Sequence, residues 1–421
     1  MTRTLEFDIL VAGGGTAGCA AAIAAARRGH RVLLVEESNA LGGTSTTGGV
    51  CEWFASLDGL GNIFDRMKAD LGKFGALHGR FFNHEYLKAV WQALAEEDNV
   101  QILFHSSLSG ATVEHGCVRR VSMLSCSRPL QVAARYFLDC TGEGDLAFLA
   151  GAAYHQGHPE TGRTLHMTLT CMLYDTGKPV RPHLPPGLKP IERPEDLPGL
   201  NAYIALPDGR VYLNMTKVVG HDPTDPFSLS DAEREARRQL LRVVHYLQRT
   251  QYPTHSIAST GASIGIREGR RIVGNYILTE ADILDGAPCD FPDGVAVATA
   301  QIDFHSLTSP GNRGWRQRVE PYPIPLRSLI ACGFCNLLMA GKCISGDQVA
   351  QSSYRMTPTC CAMGQAAGTA AALAVERGVA DIRTVDVAEL RKVLIADGME
   401  LDPRRHQAFG PGETPDPSGA K

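Results

Sequence analysis

The sequence predicts an α/β protein of the Rossmann type, and three observations near its start carry that expectation. Residues 7–12 and 31–36 are short, continuous apolar runs, the pattern of strands buried on both faces of a parallel sheet. Residues 17–28 between them are alanine-rich and read as a helix, closed by Gly29 as a left-handed cap. Gly13, Gly15 and Gly18 fill the turn between strand and helix at the spacing G-x-G-x-x-G. The three together describe a βαβ unit.

Each glycine has a reason. Gly13 permits the tight turn, Gly15 lets the backbone approach a pyrophosphate, and Gly18 lets helix and strand pack closely. Thr16 and Ala17 open the helix, where unpaired N–H groups face an anion. Glu36, followed by Glu37, ends the second strand, where a carboxylate accepts from ribose hydroxyls. The competing reading is a ligand-free turn with a surface glutamate. Strand, glycines, helix and acid in one unit favour a dinucleotide.

The remaining elements follow in order. After the polar stretch 41–49, LGGTSTTGG, comes a helix at 84–97 and a strand at 100–104. Residues 111–138 alternate and predict a hairpin turning at Arg128-Pro129. Seven prolines between 179 and 198 mark a loop-rich insertion over 175–226. A helix is expected at 231–249, with Ser230 and Glu233 as its capping box. Residues 295–304 read as a strand, 327–345 as strand, turn and strand, and 357–378 as an Ala/Gly-rich helix entered at Pro358. The end of the chain reads as a disordered tail. No internal repeat is present.

Bulk properties exclude some functions. The chain has 421 residues and suggests two or three lobes. A net charge of −4 gives no pull toward nucleic acid or an anionic membrane. No apolar run reaches the length of a membrane span. The acidic start MTRTLEFD argues against a cleaved signal. The 12 cysteines have no framework spacing, which favours reduced thiols and a cytoplasmic setting.

Three later segments decide between an exchanging nicotinamide and a resident flavin: 41–45 LGGTS, 138–145 LDCTGEGD and 339–347 MAGKCISGD. A cofactor that stays in place needs several loops along its length. With these, VAGGGTAGCAAAIAAARRGHRVLLVEE, IGIREGRRIVGNYILTEADIL, YPIPLRSLI and MTPTCCAMGQAAGTAAALA, the chain resembles the FAD-dependent oxidoreductase family within the glutathione-reductase-like and fumarate-reductase-like flavoprotein superfamily. The resemblance runs over most of the chain. It implies a Rossmann-type FAD-binding domain with an inserted α+β substrate domain. The divisions are 1–160 and 326–398 for FAD, 161–325 for substrate, and 399–421 for the tail.

By position, the resemblance places Gly13, Gly15 and Gly18 on the pyrophosphate and Glu36 on the ribose. Gly42, Gly43, Thr44 and Ser45 line the flavin side. Asp139, Thr141, Gly142 and Asp145 form a second loop, and Gly341 to Ser345 support the ribityl chain. The helix near Thr359, with Cys360 and Cys361, aims its N–H groups at the flavin O2/N1 edge, where reduced flavin is negative. Cys140 stands where relatives usually carry alanine.

The candidate catalytic residues are His305, Arg267, His166, Arg271, Tyr322 and Arg355. Arg267, Arg270 and Arg271 suit a substrate carboxylate, or a salt-bridged junction with Glu268 or Glu280. His305 at a strand end suits acid/base work, or a structural hydrogen bond. His166 begins a strand, and Tyr322 and Arg355 precede flavin-contacting segments. Cys332 and Cys335 have C-x-x-C spacing, read as a redox pair or as local packing. Cys51 offers a covalent flavin link or a packed side chain. Metal binding is not expected.

The leading function is an FAD oxidoreductase exchanging a hydride between flavin N5 and a small polar, anionic or keto/hydroxy substrate. The alternative is a non-redox or self-consuming dinucleotide protein of the thiazole-synthase-like type, or a flavin-bearing RNA-modification partner, which the charge disfavours. A third is a degraded oxidoreductase kept for assembly. No second nucleotide fingerprint is seen, so electrons pass between substrate and flavin and on to oxygen, a quinone or a protein. A homo-oligomer is left open.

Overall fold

The computed structural model describes residues 3–199, 203–284, 290–308 and 314–410. Its centre is a five-stranded parallel sheet. The strands lie in the order Leu337–Met339, Tyr136–Asp139, Ile9–Ala12, Val32–Val35, Gln101–Leu103. The four residues of Ile9–Ala12, of Val32–Val35 and of Tyr136–Asp139 are all buried, as the continuous apolar runs require. Crossover from the first strand to the second is the helix Thr16–Arg27.

That helix packs against a second one, Thr357–Glu376, at backbone distance. Methyl groups on Gly364 and Gly368 would overlap the carbonyl oxygens of Ala17 and Ala21. The helices are close because small residues face each other along the whole contact. Both begin at the carboxyl ends of the sheet strands.

A second hydrophobic core forms separately from residues between Met167 and Ile266. It holds the four-stranded sheet Tyr203–Ala205, Val211–Leu213, Cys171–Asp175, His255–Thr260 against the helix Pro226–Arg249. The chain enters and leaves it side by side: Thr168 and Gly265 exchange both backbone hydrogen bonds, at 3.1 and 2.8 Å.

Several local expectations change. The 111–138 segment is a three-stranded meander, Ser106–Glu114, Cys117–Ser125 and Arg128–Ala133. Its turns are His115-Gly116 and Cys126-Ser127, all four at positive φ, the geometry of two-residue hairpin loops. Arg128-Pro129 therefore starts a strand, and Tyr136–Asp139 leaves for the central sheet. The helix expected from 231 begins at Pro226, because Asp225 accepts from Ser228 N at 2.7 Å and proline fits the first helical position. Ser230 is thus inside the helix, and Glu233 instead accepts from Ile264 N. The run 295–304 breaks into Gly294–Ala298 and Ile302–Phe304. In 327–345 only Leu337–Met339 is strand; Leu326–Ser328 is a single 3-10 turn.

The tail expected from 399 does not start there. Met399 pairs with Leu60, and Phe409 exchanges hydrogen bonds with Thr299 and Gln301. Residues 411–421 lie outside the described part. The cysteines are also not all thiols: Cys117 at the base of the His115-Gly116 turn is disulfide-bonded to Cys335. Cys335 therefore has a partner 218 residues away and not Cys332, which stays an exposed thiol.

Candidate active site

Four loops at the carboxyl ends of the sheet converge. Gly42 pairs with Gly15 as an isolated bridge, and Gly42 N donates to Gly14 O at 2.7 Å. Gly13, at φ 92°, abuts the Cys140–Thr141 backbone. Gly142 lies against Lys342, and Gly341 against Ala17. So the glycine turn, 42–45, 141–145 and 341–345 surround one region. Cys140 is a buried small residue beneath it.

The residues present fit a bound dinucleotide. A Cβ on Gly13 or Gly18 would collide with backbone, but one on Gly15 meets nothing within 4 Å. The backbone is therefore bare where a pyrophosphate needs approach. Glu36 is buried; its Oε2 accepts from Gly14 N at 2.7 Å and its Oε1 from Ser38 N at 2.8 Å. The carboxylate is fixed in plane at the strand end. Glu37 reaches solvent beside it, and partial burial with the charges of Glu36, Asp145 and Glu143 raises its carboxyl. These acids thus sit around one spot, suited to sugar hydroxyls.

Asp139 organises the second loop. Its Oδ1 accepts from Thr141 N and Oγ1 at 3.1 and 2.7 Å, and its Oδ2 from Ala147 N at 2.8 Å. Burial pushes its carboxyl up to about 6 against those bonds. Asp145 is half-exposed and pairs with Arg270 at 2.9 Å. Thr44 is exposed at the mouth. Deeper in, the Ser45, Ser345 and Thr359 hydroxyls are buried without a protein partner. Such hydroxyls call for a partner. Burial holds Cys360 up at about 12 and raises Cys361 and Cys51 too, so none is a thiolate near neutral pH.

A second cluster lies where the 47–49 loop meets the second core. Thr170 Oγ1 donates to Gly48 O at 2.9 Å and Ala262 N to Thr47 O at 2.8 Å. Here the structure brings together four of the six candidate residues: His166, Arg267, His305 and Arg355. The His166 and His305 rings meet edge to face, centroids 4.3 Å apart. Arg267 Nη1 donates to His166 O at 3.0 Å and Thr168 Oγ1 at 2.6 Å. Gln351 Nε2 donates to Arg267 O at 2.9 Å, tying the cluster to the helix Gln348–Tyr354. Arg355 follows that helix, and Cys360 Sγ at the next helix start contacts its carbonyl at 3.3 Å. The cluster therefore borders the region where the four loops meet.

Asp303, which the sequence reading passed over, is its electrostatic centre. Its Oδ2 lies 2.8 Å from His305 Nε2 and 3.2 Å from Arg355 Nη2; its Oδ1 lies 2.7 Å from Arg316 Nε. Burial alone would raise it; His305 and the two guanidiniums outweigh that and hold it well below the usual range. Burial lowers both His305 and His166 from the ordinary imidazole value. His305 Nδ1 and His166 Nε2 are buried with no hydrogen-bond partner. Strand alternation was the available signal: Asp303 and His305 are two apart and share a face. Tyr212, whose buried hydroxyl also has no partner, was missed as well.

Two candidates are placed elsewhere. Arg271 is buried with all its donor groups engaged, on Gly346 O and Gly157 O at 3.1 Å and on the Glu268 carboxylate. Glu268 also accepts from Leu165 N at 2.8 Å and Gln348 Nε2 at 2.6 Å. The pair is a junction between the two cores, the competing reading for this arginine, and it is closed to substrate. Tyr322 donates to Ser353 Oγ at 2.8 Å deep in the first core, and burial raises its hydroxyl. Arg270 stacks its guanidinium 4.1 Å above the Phe148 ring.

The family model described as FAD dependent oxidoreductase matches residues 8–394. No curated protein matches the chain. Among solved structures, a geranylgeranyl bacteriochlorophyll reductase-like protein from Thermoplasma acidophilum is 12% identical, with 95% of this chain and 93% of that one covered at TM-score 0.48. OxyS anhydrotetracycline hydroxylase from Streptomyces rimosus is 14% identical over 95% of this chain and 70% of its own, at TM-score 0.46. No helix among the described residues is long and apolar enough to cross a membrane. The family match covers nearly the whole chain, from the strand before the glycine turn to beyond the helix Thr357–Glu376: the protein belongs to the FAD-dependent oxidoreductase family, and FAD is its cofactor.

Proposed function

We propose that this enzyme exchanges a hydride between FAD and a small polar, anionic substrate bound at the seam of its two cores. We further infer that the first core, of the glutathione-reductase-like and fumarate-reductase-like type, holds FAD through the glycine turn, Glu36, 42–45, 141–145, 341–345 and the helix from Thr357. The second core, 167–266, supplies Tyr212, and the segments that flank it supply His166 and Arg267. FAD supplies a two-electron acceptor when bound.

One observation carries the reading. Buried polar atoms without partners gather at the seam: His305 Nδ1, His166 Nε2, Tyr212 Oη and Arg355 Nε. Proteins rarely leave such groups unpaired unless something else pairs with them. Asp303 accepts the Nε2 proton of His305, which leaves Nδ1 as a proton acceptor. Arg267 and Arg355 orient an anionic or keto group.

The test is anaerobic photoreduction of the purified yellow protein, followed by a survey of acceptors and of hydroxy, keto and unsaturated acids. Substrate-dependent loss of flavin absorbance supports the reading. A colourless protein carrying an adenylated product contradicts it.

A further inference from the structure

We propose that the substrate is a 2-hydroxy acid, that its carboxylate is the counter-ion Arg267 lacks, and that its C2 hydroxyl is oxidised to a 2-oxo group. This rests on the hydride-exchange reading above.

The argument starts from a charge imbalance. Among the described residues the other inward-facing arginines near the site each have a carboxylate: Arg270 has Asp145, Arg271 has Glu268, and Arg355 has Asp303. Arg267 uses Nη1 on two neutral oxygens, His166 O and Thr168 Oγ1. Among the described residues nothing bonds its Nε or Nη2, and no carboxylate pairs with it. Burial, with Arg355 nearby, lowers its guanidinium to about 10, so it stays charged at neutral pH. Asp303 cannot serve, because Arg316, Arg355 and His305 already hold it. Arg267 is half-buried with one edge of its guanidinium open, and that edge matches a carboxylate through two parallel N–H bonds.

The position of the proton acceptor narrows the class. His166 offers its backbone oxygen to Arg267 while its ring touches that of His305. A single residue thus separates the carboxylate clamp from His305 Nδ1. The shortest link between a carboxylate on Arg267 and a proton acceptor beside it is a hydroxyl on the carbon next to the carboxylate. An ammonium there would face Arg267 and Arg355, two like charges. A neutral alcohol would leave Arg267 unpaired.

The step balances. The C2–H bond breaks and its hydrogen and electron pair pass to oxidised FAD. The O–H bond breaks and its proton passes to His305 Nδ1. A C2=O double bond forms, and one 2-oxo acid leaves per FAD reduced.

The experiment mixes anaerobic holoenzyme with each enantiomer of lactate, 2-hydroxybutanoate and mandelate. The comparison compounds are 3-hydroxybutanoate, 2-aminobutanoate and 1,2-butanediol. Flavin absorbance is followed and 2-oxo product trapped as its hydrazone. Binding of oxamate and 2-oxobutanoate is measured separately by calorimetry. We expect one enantiomeric series to bleach the flavin with one 2-oxo acid per FAD. Arg267→Gln should weaken oxamate binding about 100-fold with FAD content unchanged. Arg267→Lys should recover only part of that loss. Bleaching by the diol or the amine alone overturns the 2-hydroxy acid and leaves hydride exchange standing. Unchanged oxamate affinity in Arg267→Gln also overturns it. If dithionite reduces the flavin but no hydroxy, keto, amino or unsaturated compound affects it, both readings fall.

Discussion

Asp303 Oδ2 and His305 Nε2 stand 2.8 Å apart, and this contact determines which imidazole nitrogen is free. A carboxylate accepts only, so Nε2 carries the proton and Nδ1 its lone pair. An asparagine at 303 can donate and reverse that order. Asp303→Asn should slow flavin reduction by ~10³-fold or more, with a smaller change in substrate affinity. Anaerobic stopped-flow with whichever compound reduces the wild-type flavin measures both. Near-normal rates would show that the contact does not set the tautomer.

Acid should destabilise the fold before Asp303 titrates. His166 and His305 are held neutral by burial, while in the unfolded chain they take up protons below about 6.5. Their contribution is complete above that pH and is lost as pH falls below it, by up to ~1.4 kcal/mol per pH unit for each. Asp303, held well below its ordinary value, adds its own loss only under about pH 4. Urea midpoints between pH 7.5 and 4.5 should therefore fall less steeply in a His166→Asn, His305→Asn double variant. Parallel curves would contradict this.

Glu36 ties the glycine turn to the second strand. Replacing it with alanine strips the acceptor from the buried N–H of Gly14 and the half-buried N–H of Ser38. The expected cost is about 1–3 kcal/mol at that turn. FAD should dissociate at least about tenfold more readily, read from the fluorescence of released cofactor. Unchanged retention would remove Glu36 from the binding role.

The contact between the helices Thr16–Arg27 and Thr357–Glu376 tolerates no added methyl. Gly368→Ala would overlap Ala21 O and should cost about 3 kcal/mol. Gly72→Ala, in the helix Asn62–Lys73, meets nothing within 4 Å and should stabilise by up to ~1 kcal/mol. Denaturant unfolding of the two variants checks the contrast. Equal effects would contradict the packing.

The Cys117–Cys335 bond joins the meander to the turn before the last sheet strand. Under non-reducing denaturation the protein should titrate two fewer thiols than after reduction. Cys335→Ser should lose about 2–4 kcal/mol when no reductant is present. A full thiol count would show that the pair is open in solution.

What could be read from the sequence was local. The βαβ unit, the helix His84–Glu97 and the Ala/Gly-rich helix each carry their own periodicity or caps. The start at Pro226 was also written locally, as Asp-Pro, but the Ser230 pattern resembled a cap more closely. Other features depend on distant segments. Cys335 finds Cys117 only when the hairpin folds over it, and Arg271 meets Glu268 in the seam of two cores. Both arginines at 267 and 271 read alike in sequence. Only burial and partners distinguish the one with free donors from the one fully bonded.

The paired entry and exit at Thr168 and Gly265 give the second core the properties of a cassette. Whatever is built between those two residues must reproduce that two-way backbone seam and the bonds of Thr170 and Ala262 to the 47–49 loop. The intervening hundred or so residues can then be remodelled while His166 and Arg267, which flank them, stay in place.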